Sequence, residues 1–253
     1  IHAQLIERHS GKIISPYYAM GFNIGIFIGG ILAGFILGNT MNPTFVFLIL
    51  FFLSIIVSLI IYMNGLPKDL DFKGEGEKLK IPEKNVLIFG FLLFVIFGSN
   101  GIIIDWSALW FTKELNAPLY LASLGLICLS CGGIFANLFS NQLINLFSEK
   151  VVGCYFVIFG AVILFSSIII GNFYFILITF FFYGFLTANL VPIIIRQAVK
   201  HSSESIPTTV TNLITMGFSA MLFAPALIGF IAEKYSLTIN MYALCVIVFI
   251  AGN

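Results

Sequence analysis

The chain has 253 residues, 60% of them hydrophobic and only 9% charged, and its net charge is +1. A soluble domain carries about a quarter charged and about half apolar residues, so this composition excludes a water-exposed globule. The near-zero charge balance also gives nucleic acid no basic surface to bind.

The apolar runs are about 20 residues long, the length a helix needs to cross roughly 30 Å of hydrocarbon. Eight spans are predicted, over 17–38, 44–63, 86–112, 118–140, 151–171, 173–196, 207–232 and 237–253. The fold class is therefore all-α, a polytopic membrane helical bundle. Before the first span, IHAQLIERHSGK reads as the end of one helix and a basic loop, which suggests a fragment of a longer chain. Several spans open on a helix-start signal: Ser15-Pro16, Asn116-Ala-Pro118 and Ser205-Ile-Pro207. Proline suits the first helical turn, where its missing N–H would have no partner anyway.

In the first span Gly21, Gly25 and Gly29 recur at every fourth position, and Gly30, Gly34 and Gly38 repeat the spacing one residue on. Such stripes let helix backbones approach closely in a membrane, so they are assigned to helix packing. After the second span comes one long charged segment, GLPKDLDFKGEGEKLKIPEKN, at 65–85. Its charge and its low apolar content mark it as a solvated linker.

The third span holds GSNGIIIDWSALWF, with Asp105 the one acid well inside a span. An aspartate at a helix centre costs about 2.5–3.5 kcal/mol on insertion scales, so intramembrane acids usually face a cavity and mark a pathway. Gly98, Gly101 and Asp105 fall on one helix face, which a neighbouring helix or a water-filled cavity would cover. Asp105 is thus a candidate proton carrier or solute contact, with Asn100 and Trp106 beside it. The competing structural reading is an ion pair with Lys113 or Lys234. Trp110 reads as an interface anchor.

Cys128-x-x-Cys131 lies in an apolar run without a second ligand pair, so packing is the better reading and neither metal nor cofactor is expected. The sixth span carries YGFLTANLVPIIIR, where Tyr183 and Asn189 are candidate pathway residues. An amide at Asn189 would hydrogen-bond a polar solute or a neighbouring helix. Pro192 cannot donate to the carbonyl of Ala188, and Pro225 cannot donate to that of Met221, so both are expected bend points, as are Gly98 and Gly101. Arg196 is expected to reach from the helix end to the membrane surface.

Alternating the loops puts ten of the twelve Lys and Arg residues on one side, leaving only Lys113 and Lys234 on the other. The lysine-rich side, which holds the linker, is cytoplasmic by the positive-inside rule. The division is then 1–64 as the end of an N-terminal helical half, 65–85 as linker and 86–253 as a six-helix C-terminal half. That layout belongs to transporters built of two six-helix halves, and it makes the first span here the fifth of twelve. An enzyme is disfavoured because His2, His9 and His201 lie in loops or at an end, and no span offers an acid pair.

Three stretches carry a family resemblance: IERHSGKIISPYYAMGFNIGIFIGGILAG, NGIIIDWSALWF and GFLTANLVPIIIR. Through them the chain resembles bacterial permeases of the major facilitator superfamily, in a branch near the fucose-permease-like transporters. The resemblance implies a proton-coupled symporter of the cytoplasmic membrane, working by alternating access, with Asp105, Trp106 and Asn189 at matching positions. Its partners would be a small-molecule solute, H+, the lipid bilayer and either the missing N-terminal helices or a partner chain. Two departures stand out. Asn100 replaces an acid usual in that branch, and Asn141 and Asn145 stand where acids of the loop after the fourth span would be. A truncated, non-transporting remnant or subunit of such a permease is the alternative.

Overall fold

The computed structural model describes residues 15–38, 43–63 and 82–252. The basic segment before Ser15, and the expected linker up to residue 81, lie outside the described residues. The helices are α1 (Ser15–Gly38), α2 (Pro43–Met63), α3 (Lys84–Lys113), α4 (Leu124–Leu138), α5 (Ser140–Lys150) and α6 (Phe156–Ile170), then α7 (Phe173–Thr187), α8 (Leu190–His201), α9 (Ile206–Lys234) and α10 (Leu237–Gly252). A 3-10 turn, Leu119–Leu121, precedes α4, and a π-helical segment, Val151–Tyr155, joins α5 to α6.

Six helical stretches among the described residues are long and apolar enough to cross a membrane: Ser15–Ile36, Lys84–Lys113, Leu119–Leu138, Ser140–Ile170, Phe173–His201 and Ile206–Lys234. In the other two expected spans the described apolar stretches, Phe47–Ile60 and Leu237–Gly252, are shorter. Its described residues form a helical membrane bundle without strands.

The long helices α3 and α9 run along each other, and α10 packs on α3 and on α6. From α6 the packing passes to α7 and from α7 to α4, which also meets α3 and so closes a circuit of five helices, with α9 alongside α3. The first helix, α1, docks on α4 from outside the circuit, and α2 leans chiefly on α1.

Lipid tails are as apolar as leucine, so burial of apolar area drives such a bundle less than close contact does. The α4–α7 seam shows how the contact is made. A Cβ on Gly132 would run into the carbonyl oxygen of Phe181 and come within 2.8 Å of the Phe185 nitrogen. A Cβ on Gly184 would run into the carbonyl oxygen of Leu129. Glycines on both helices thus put backbone against backbone.

The first-span stripe divides in two. Gly30 and Gly34 pack on α4, where a Cβ would meet Ile127 Cγ1 at 2.9 Å and Ser123 Oγ at 2.6 Å, but Gly21, Gly25 and Gly29 have nothing within 4 Å.

Three local expectations change. Trp110 is not an interface anchor. It is 1% exposed, its indole N–H donates to Thr238 Oγ1 at 2.8 Å, and its ring meets Phe180 edge-on. Core position wins because Phe111, Phe173 and Phe180 complete an edge-to-face cluster around it, the arrangement aromatic rings prefer.

The loop expected between the fourth and fifth spans is helical from Ser140. The chain turns at Ser148, whose φ of +72° is a region L residues rarely occupy. Lastly, Arg196 pairs with Glu149 rather than reaching free to the surface.

Candidate functional site

A cavity of about 230 Å³ opens between α1, α3, α4, α9 and the α7–α8 junction. Its position follows from local sequence. Gly133 on α4 leaves room for a side chain from α1, and the amide of Asn23 fills that room, lying 2.8–2.9 Å from where a Cβ would stand. Asn23 uses one N–H on the carbonyl of Ala19, at 3.1 Å. On α3 the cavity face carries Phe97, Asn100 and Ile104, at helical spacing. Asn100 has no hydrogen-bond partner among the described residues, so its amide keeps its full donor and acceptor capacity. Thr187 at the α7 C-terminus donates to its own helix, to Tyr183 O at 2.7 Å. Phe97 and Phe218, edge to face at 5.1 Å, form an aromatic wall.

Of the residues singled out from sequence, Asn100 lines this cavity and the others stand elsewhere. Asp105 is exposed, one residue beyond the cavity-lining Ile104, and makes no hydrogen bond or ion pair among the described residues. The weighed ion pairs with Lys113 or Lys234 do not form; Arg196–Glu149 is the salt bridge of the described structure.

Trp106 turns its ring towards Gly229 of α9, within 3.2 Å of where a Cβ would be, and its indole N–H is buried without a partner. Tyr183 is 1% exposed in the aromatic core. Asn189, also 1% exposed, donates to the carbonyl of Ala136 on α4 at 3.2 Å, the interhelical bond weighed for it above.

The expected bend points behave differently from one another. Helix α3 runs unbroken through Gly98 and Gly101, and α9 runs unbroken through Pro225. The interruption falls at Ala188–Asn189, and Pro192 sits in the first turn of α8, where its missing N–H costs little. Gly98 is a packing residue as well, since a Cβ there would touch Ala220 and Ala224 of α9 at 3.6 and 4.0 Å.

Sequence reasoning missed Asn23, the amide facing the cavity from α1. Its signal was present, an uncharged polar residue inside an apolar span, but the glycine stripe around it drew a packing reading.

The charged groups gather at helix ends. At one end Glu83 and Glu204 clasp each other's segments. The backbone N–H of Glu83 donates to Glu204 Oε1 at 2.9 Å, and the N–H of Ser203 donates to Glu83 Oε2 at 3.2 Å, with the Ser203 hydroxyl donating to Glu83 as well. These bonds from Ser203 hold the Glu83 carboxyl below the usual carboxylate value of 4.5. Asn85 and Asn212 reinforce the clasp through His201 O and Glu204 Oε2. Nearby, Glu149 joins Arg196 and Gln197 of α8.

At the opposite end Glu114 caps α10. It accepts from the backbone N–H groups of Leu237 and Thr238 and from the Thr238 hydroxyl.

Comparison with known proteins matches these features to a family. The family model described as Major Facilitator Superfamily matches residues 7–220. The chain is 28% identical over 197 residues to an uncharacterized MFS-type transporter of Yersinia pestis, a match covering 74% of this chain and 50% of that protein. It is 27% identical over 180 residues to the membrane protein MosC of Rhizobium meliloti, covering 68% of this chain and 43% of that one. The chain spans about half the length of the curated relatives it matches.

Proposed function

Because this chain belongs to the Major Facilitator Superfamily, we propose that it works as part of a secondary active transporter moving a small solute across the cytoplasmic membrane by alternating access. The observation that carries this reading is the cavity between α1 and helices α3, α4, α7 and α9, with an amide from each side of the expected linker, Asn23 and Asn100. Residues 1–64 then belong to one helical half, 65–85 to a cytoplasmic linker and 86–253 to the other half. Solute held between two halves is what rocking of one against the other would expose to each side in turn.

In this reading the transporter is a proton symporter, of a branch near the fucose-permease-like permeases. Asp105 is its proton carrier, as an intramembrane acid whose carboxylate has no partner among the described residues. Bending at the α7–α8 junction, where the helix is interrupted at Ala188–Asn189, lets the halves move. The test is solute-driven proton uptake into vesicles holding the intact protein. Asp105→Asn abolishes the proton signal while membrane insertion stays intact; an unchanged signal removes Asp105 from the mechanism.

A second reading has one observation in its favour. Gly21, Gly25 and Gly29 of α1 are uncovered among the described residues, and a partner chain would cover them as well as further helices of the same chain. The chain would then act as a subunit, or persist as a remnant that transports nothing. The intact mass of the protein from native membranes separates the two: a species near the 28.0 kDa of this sequence favours the subunit or remnant, and one larger by about four helices favours the transporter reading.

A further inference from the structure

The cavity walls carry enough chemistry to name the kind of solute they take. This step rests on the transporter reading above. Among the described residues that line the cavity there is no Asp, Glu, Lys, Arg or His. A charged solute entering would lose its hydration and meet no counter-charge on these walls, and the effective penalty for burying such an ion is several kcal/mol. An uncharged polar group has no such penalty if it is hydrogen-bonded. The walls supply that bonding in duplicate: Asn100 has its whole amide free, and Asn23 keeps its oxygen and one N–H after bonding to Ala19. Carboxamides both donate and accept, so the pair suits a solute that also does both, such as an amide or a hydroxyl cluster. The remaining lining is apolar, with the rings of Phe22, Phe97 and Phe218 exposed to the space. Sites of this make-up, apolar walls with a few placed polar groups, orient a ligand by its polar end and hold it by its body. The volume of about 230 Å³ lies below the roughly 300–1,000 Å³ of drug-sized pockets.

We propose that this cavity selects a small uncharged amphipathic solute, with an apolar or ring-bearing body and an amide- or hydroxyl-type head held between Asn23 and Asn100.

The experiment uses the full chain in membranes, with its native cysteines replaced and one reporter cysteine introduced at Ile104→Cys or, in a second protein, at Val191→Cys. Both positions line the cavity. A water-borne methanethiosulfonate reagent labels the reporter in the presence of phenylacetamide, phenylacetate or phenethylammonium, three probes that share a body and differ in charge. The expected result is that phenylacetamide slows labelling at both reporters at least about threefold, that the two charged probes do not, and that Asn100→Leu removes the protection.

Equal or stronger protection by a charged probe, or protection by none of the three, overturns the proposal while leaving a water-reached cavity in place. Failure of the reagent to reach either reporter, in protein that stays folded, overturns the transporter reading beneath it. Gly133→Val adds an independent check. It displaces the Asn23 amide, which supplies the three atoms nearest a Cβ there, and is expected to abolish protection by phenylacetamide while the reporters remain reactive.

Discussion

Glu114 is one carboxylate serving three donors on another helix, and removing it gives a measurable prediction. The first turn of α10 has backbone N–H groups with no partner inside the helix. Leu237 and Thr238 donate two of them to Glu114, and the Thr238 hydroxyl donates a third bond at 2.6 Å while accepting from the Trp110 indole. Bonds to a charged acceptor contribute about 1.5–3 kcal/mol each net of water, but this cap is only partly buried, and water can replace some of what is lost. Glu114→Ala is therefore expected to cost about 2–3 kcal/mol in all. Glu114→Gln keeps an acceptor and loses only the charge at the positive end of α10, worth about 0.3–1 kcal/mol. Trp110→Phe keeps the ring and loses one bond, about 1 kcal/mol. Unfolding titrations in mixed detergent micelles would read all three. A double-mutant cycle between Glu114→Ala and Trp110→Phe should show coupling, since both act through Thr238. If Glu114→Ala lies within about 0.5 kcal/mol of the parent, the cap does not hold α10 to α3 and the reasoning fails.

At the α4–α7 seam, Gly132→Ala or Gly184→Ala forces two backbones apart and should cost about 1–3 kcal/mol or prevent folding, whereas Gly29→Ala, with nothing within 4 Å, should leave the same unfolding midpoint unchanged. Ser148→Gly relieves a strained backbone and is expected to raise stability by about 1 kcal/mol, with Ser148→Ala giving no such gain in the same titration. The depressed Glu83 carboxyl stabilises the folded clasp fully above its ordinary value of 4.5. That stabilisation is lost as pH falls through the lower folded value, so in a pH series of thermal midpoints the drop in that window should be smaller for Glu83→Gln than for the parent.

Much of the fold was legible because the signals are local. Span length, proline at helix starts and the Ser205 cap, which accepts from the Thr208 N–H at 3.3 Å, each depend on a few neighbouring residues. The residues that failed to read correctly depend on distant partners. Trp110 looks like an interface anchor until Thr238, more than a hundred residues on, supplies the acceptor for its indole. Segment 140–147 reads as a loop by polarity, because nothing in its own sequence announces the turn at Ser148 that lets a second helix begin. Asn100 stands out beside Asp105 in the sequence but Asn23 does not, and only the approach of α1 to α4 at Gly133 puts both on one cavity.

The placement of the acids separates holding from moving. Glu83 and Glu204 bind the start of α3 to the α8–α9 connection, Glu149 binds Arg196, and Glu114 caps α10, each at a helix end. Every one of these groups has partners, so neutralising it loosens structure. Glu233 is exposed near the end of α9. Asp105 differs from all of them in lying inside a span and lacking a partner among the described residues. A carboxylate that supports no other residue can be neutralised without unfolding the bundle, which a carrier that gains and loses a proton in every cycle requires. The asymmetry predicts opposite signatures for the two kinds of acid. Neutralising an end-lying acid that has partners lowers stability, whereas Asp105→Asn is expected to leave stability unchanged or raised and, under the proposed coupling, to alter proton movement. A drop in stability for Asp105→Asn comparable to that of Glu114→Gln would place Asp105 with the structural acids.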